Sequence, residues 1–121
     1  MKGSKGAELA DGLVVKQEDY KLVRTRFSSF FGTNLDSVLK TSRVKNLVVV
    51  GVQTPNCIRQ TVSDAVALDY EKVMVILDAT AAADKEIHLG MCHTICLSAN
   101  IRDVKNVGAE TPSLEDWSRY A

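Results

Sequence analysis

The chain has 121 residues, enough for one compact domain and too few for two. Its fifteen basic and fifteen acidic residues cancel, which excludes the basic excess that nucleic acid or an anionic membrane selects and leaves little repulsion against self-association. At 45% hydrophobic and 25% charged, the composition is that of an ordinary globular fold.

The three cysteines, Cys57, Cys92 and Cys96, are an odd number, so a secreted disulfide framework is not expected and reduced thiols are. The opening residues, MKGSKGAELADG, have no apolar core and do not read as a signal peptide. No stretch approaches the length of a membrane span. These features together point to a cytoplasmic protein.

Residues 1–12 read as loop, rich in Gly and Lys and without period. Lys21-Leu22-Val23-Arg24 is a short strand candidate. Arg26 to Thr33 holds three Phe and shows no clean period. Asn34 is placed to cap a helix in which Leu35, Val38 and Leu39 share a face. Asn46 to Val52 is a β-branched run that suits a strand buried on both faces of a parallel sheet. Gln53-Thr54-Pro55-Asn56 reads as a turn. From Cys57 to Tyr70 a stripe of Ile58, Val62, Ala65, Val66 and Leu68 predicts a helix. Lys72 to Asp78 predicts a second buried strand, and the three elements form a βαβ unit. Ala79 to Ala83 reads as a small-residue turn. Residues 84–104 show neither the helical nor the strand period. Residues 106–109 read as a last short strand. Thr111 or Ser113 caps a terminal helix carrying Leu114 and Trp117. The architecture expected is α/β.

In such sheets ligands bind beyond the carboxyl ends of the strands, where loops meet helix N-termini. Cys57 falls at such a place. A thiol there feels the positive end of the helix dipole, which favours the thiolate, and nearby N–H groups can hold an oxyanion. Together these suit attack on a carbonyl-type carbon. Small buried cysteines also serve packing alone, and position does not separate the two readings.

The block from Val50 to Thr61, with Gly51-Val52-Gln53-Thr54-Pro55-Asn56-Cys57 at its centre, resembles the nucleophile turn of the isochorismatase-like cysteine hydrolases, whose pattern is G-V-x-T-x-x-C. Asp64-Ala65 and Asp78-Ala79-Thr80-Ala81-Ala82 continue the likeness. Arg24 to Leu35 resembles the family's upstream block. The wording is most similar to the plant nicotinamidase-like branch. Together the matches cover residues 5–89 and 100–117.

The resemblance implies a three-layer α/β/α, Rossmann-like fold with a mainly parallel sheet, and a Cys–Asp–Lys triad acting on a small amide or related bond. It makes Cys57 the nucleophile. It implies a cis peptide between Val52 and Gln53, and an oxyanion hole made by the N–H groups of Gln53 and Cys57. Phe27 and Phe30 become candidates for lining the substrate pocket. No cofactor or metal is implied for this chain. A small-molecule substrate and a homo-oligomer are expected, without nucleic acid or membrane.

Three departures qualify that picture. The family's aspartate comes from an opening strand, and no acidic residue here matches its motif. Asp11 and Asp19 lie in loop-like sequence, so the chain reads as a partial domain lacking the first strand. Arg24 stands at the lysine position; it keeps the charge but does not give up its proton near neutral pH. Residues 90–98 interrupt an otherwise continuous family segment and read as an atypical insertion. Within that stretch Cys92, His93 and Cys96, with His88, could offer zinc ligands, but the spacing lacks a second ligand pair. Activity on nicotinamide or a similar amide is therefore expected to be impaired. The alternative is an inactive binding or oligomerisation module.

Overall fold

The computed structural model describes residue 5, residues 8–95 and the backbone of residues 100–102. In chain order the elements are α1 (Leu35–Thr41), β1 (Asn46–Val52), a π-helical turn (Thr54–Ile58), α2 (Arg59–Ala67), β2 (Lys72–Ala81), α3 (Lys85–Ile95) and β3 (Asn100–Arg102). The strands form one sheet in the order β1-β2-β3, and both pairs are parallel. This is the α/β architecture with a parallel sheet that the two β-branched runs predict.

Asn46 to Val49 pair in step with Lys72 to Val75. The register then shifts, so that Gly51 meets Thr80 and Val52 meets Ala81. Gly51 accommodates this irregularity at φ 111°, a conformation that side chains with a Cβ rarely adopt.

The core lies on one face of the sheet. Val73, Val75 and Leu77 of β2 meet Val62 and Ala65 of α2, Cys92 and Ile95 of α3, and Phe30 and Tyr70 from the connections. Leu35 and Leu39 of α1, and Leu47 and Val49 of β1, pack at its margin. The Phe30 and Tyr70 rings lie 5.7 Å apart and tilted by 39°, within the range of favourable aromatic pairs.

β2 is buried on both faces from Val73 to Leu77, as a central parallel strand should be. β1 is not. Its residues alternate between exposed and half-buried, and Val48, Val50 and Val52 are 54–64% exposed. The expectation of two buried faces fails because β1 is the edge of the described sheet and no described helix covers its outer face.

Other expectations are corrected as well. Lys21 to Arg24 forms no strand. Asn34 stands at the N-cap of α1 but makes no capping bond; its Oδ1 instead accepts the Tyr20 hydroxyl at 2.8 Å. The segment read as a turn at Gln53–Asn56 is helical from Thr54 onward, since Pro55, lacking an N–H, suits the first turn of a helix. β2 runs on to Ala81 through the residues read as a turn. Residues 85–95, where no period was visible, form α3, which runs through the first six residues of the 90–98 segment. The strand at 106–109 and the helix at 111–117 lie outside the described residues. Among the described residues, no helix is long and apolar enough to cross a membrane.

Candidate active site

Cys57 sits in the π-helical turn that leaves the carboxyl end of β1 and feeds α2. The turn is widened by one residue: the Ile58 N–H reaches back to the Gln53 carbonyl at 3.3 Å, five residues away. The Asn56 N–H shares that carbonyl at 3.2 Å. Such widened turns recur at functional positions. The Val52–Gln53 peptide bond is cis. The Cys57 thiol is free and half-buried. Arg59 ties the turn from outside, its Nε donating to the Pro55 carbonyl at 3.1 Å.

Thr54 anchors the turn from inside. Its side chain is fully buried, and its Oγ1 lies 2.8 Å from His88 Nδ1 of α3. The His88 ring also faces the buried Cys92 thiol, with Sγ 3.8 Å from Nδ1 and 3.9 Å from Nε2. On the other side, Thr61 of α2 accepts the Ser29 N–H at 3.0 Å, linking the Phe-rich segment to the helix behind Cys57. The β2 end, carrying Thr80 and Ala81, lies beside Gly51 and Val52. The buried Thr80 hydroxyl donates to the Ile76 and Leu77 carbonyls, both at 3.1 Å.

Cys57, Val52 and Gln53 therefore share one end of β1. Among the described residues Arg24 makes no hydrogen bond or ion pair to them; its guanidinium donates to the Arg26 carbonyl at 2.6 Å. Phe30 is buried and gives its ring to Tyr70, whereas Phe27 is 62% exposed. Among the described residues, no group of three or more His, Cys, Asp or Glu could hold a metal ion; Cys96 lies outside them. An open depression of about 400 Å³, lined by Lys40, Arg43, Lys45, Asp69 and Glu71 among others, lies at the other end of the strands and does not include Cys57.

The isochorismatase domain family matches residues 1–104. The chain belongs to the isochorismatase family. It is 61% identical over 119 residues to an Arabidopsis thaliana protein named a probable inactive nicotinamidase, covering 98% of this chain and 56% of that protein. It is 40% identical over 79 residues to the ureidoacrylate amidohydrolase RutB of Agrobacterium fabrum, covering 65% of this chain and 34% of that protein. An isochorismatase-like hydrolase from Alkaliphilus metalliredigens superposes with a TM-score of 0.83 at 30% identity, over 88% of this chain and 58% of that one. This isochorismatase-family chain thus spans a little over half the length of the Arabidopsis and Alkaliphilus proteins.

The sequence offers His88 only as a possible zinc ligand, because residues 84–104 show no helical period, and its contact with Thr54 emerges from the structure alone. One signal was present: Asp84, just before α3, accepts the N–H groups of Glu86 and Ile87 at 2.8 and 3.1 Å through Oδ1, which is the work of an N-cap.

Proposed function

We propose that this chain carries the nucleophile half of a cysteine amidohydrolase site of the nicotinamidase type, and that its turnover is impaired. The observation that carries the reading is the half-buried Cys57 thiol in a helix-opening turn at the carboxyl end of a parallel strand. Cys57 Sγ adds to the carbonyl carbon of a small amide, and the N–H groups of Gln53 and Cys57 hold the oxyanion. The C–N bond then breaks and the amine leaves as ammonia with the thiol's proton. Water hydrolyses the thioester, releasing the acid and restoring the thiol. Nicotinamide, giving nicotinate and ammonia, is the leading substrate. Of the two phenylalanines expected to line the pocket, Phe27 has surface left to meet it and Phe30 is buried.

Impairment follows from the proton transfers. Arg24 stands at the family's lysine position, keeps its proton near neutral pH and is bonded to the Arg26 carbonyl. Loss of a positioned acid–base group costs about 10²–10⁴-fold in rate. The name of the Arabidopsis relative agrees with that direction.

The test is ammonia release from nicotinamide by the purified chain. Slow release that Cys57→Ala abolishes is expected, and it should rise when Arg24→Lys is combined with a fused aspartate-bearing strand from an active family member. Release by Cys57→Ala equal to that of the wild type would remove the hydrolase reading.

Among the described residues β1 is an edge strand, which favours a second reading, a module that associates through this edge. Two copies of an uncharged strand can pair by their edges without opposing like charges, and zero net charge does not resist it. On this reading sedimentation velocity finds an associated species whether or not Cys57 is intact.

A further inference from the structure

We propose that His88 is a positioning residue for the Cys57 turn, acting through Thr54. The inference rests on the reading of Cys57 as the nucleophile. Thr54 is the first residue of the π-helical turn and is fully buried. Among the described residues, His88 Nδ1 is the hydrogen-bond partner of its hydroxyl, at 2.8 Å. A buried hydroxyl without a partner is costly, so this pair fixes where the turn begins. The other end of the turn is held by main-chain bonds to the Gln53 carbonyl. Cys57 lies between these two anchors.

His88 is itself held in place. It lies one turn into α3, whose first N–H groups Asp84 caps, and its ring faces the fully buried Cys92 thiol. Leu89 and Ile95 of the same helix pack on the core. In the neutral ring protonated at Nε2, Nδ1 accepts the Thr54 O–H; in the other tautomer Nδ1–H donates to Oγ1. Both forms keep the bond. The structural requirement is thus a polar atom at the Nδ1 position, which the amide of Asn supplies closely and an alkyl side chain does not.

The experiment is site-resolved alkylation of Cys57 by iodoacetamide at fixed pH, read by mass spectrometry, with thermal unfolding of each variant alongside. His88→Ala and Thr54→Val should each slow Cys57 alkylation by roughly three- to tenfold, the range that one hydrogen bond of ordinary net strength can shift an equilibrium. The double variant should be no slower than either single one, since both remove the same bond. His88→Asn and Thr54→Ser should restore most of the rate. A general loosening would follow the thermal midpoint and would not be rescued selectively by Asn. Should His88→Ala fail to fold, the Thr54→Val and Thr54→Ser pair still decides the matter. Unchanged alkylation in Thr54→Val, or additive effects in the double variant, would overturn the proposal. The two readings fail separately: amide hydrolysis that ignores Cys57 removes the hydrolase reading, while alkylation that ignores Thr54 and His88 removes this one.

Discussion

Tyr70 holds its proton more tightly than a free tyrosine. Burial first, and then the Asp36 carboxylate, which accepts the hydroxyl at 2.9 Å and adds its charge, together raise its pKa from an ordinary 10 to about 12. Lys40 closes the group, 3.2 Å from Asp36 and 5.7 Å above the Tyr70 ring. The sign follows directly. The folded state favours the neutral phenol, so this contribution to stability is complete below about pH 10 and is lost as pH rises toward 12. Tyr70→Phe should cost about 0.5–1.5 kcal/mol near neutral pH through the lost hydrogen bond. The stability gap between wild type and Tyr70→Phe should then narrow above pH 10. Urea unfolding of both proteins at pH 8 and pH 11 measures it, and a gap that stays constant would contradict the assignment. This tyrosine sits at the end of the sheet away from Cys57, so the substitution should leave thiol chemistry alone.

At the scale of elements, α3 depends on its first turn. Asp84 Oδ1 satisfies two N–H groups that would otherwise lack partners. Asp84→Ala should cost about 1 kcal/mol, seen as a lower urea midpoint with an unchanged slope. α3 also shows why part of the molecule was not legible in the sequence. Its inner face is built from His88, Leu89, Cys92 and Ile95, a helical stripe that appears only once an imidazole and a thiol are counted as inward residues. β2 was legible because buried side chains on both faces of a strand leave an unbroken apolar run. β1 carries a similar run with one face bare, and periodicity cannot report what lies over a strand. The same limit applies to the site. Its position at a strand-to-helix turn followed from residue types, whereas the nucleophile role, oxyanion donors and triad were implied by resemblance. The Thr54–His88 bond joins residues distant in sequence, and no local pattern encodes it.

For the whole molecule the asymmetry of the sheet matters most. β2 is paired on both sides, β1 on one side among the described residues. Natural edge strands are commonly protected by an inserted charge, yet β1 is Asn-Leu-Val-Val-Val-Gly-Val, without any. Val50→Lys should supply that protection. Since Val50 is 54% exposed, the substitution should change the folded monomer little while shifting associated species toward monomer in sedimentation velocity. A wild-type chain that stays monomeric at high concentration would refute self-pairing through this edge. Parallel pairing also bears on the order of events during synthesis. Asn46 pairs with Lys72, and the Cys57 turn and α2 lie between them, so β1 and β2 cannot zip up as a hairpin. The valine run leaves the ribosome before β2, so its pairing with β2 waits until the crossover and β2 have been made. For that interval the strand that later presents Cys57 offers an uncharged apolar run of the kind that calls for a chaperone.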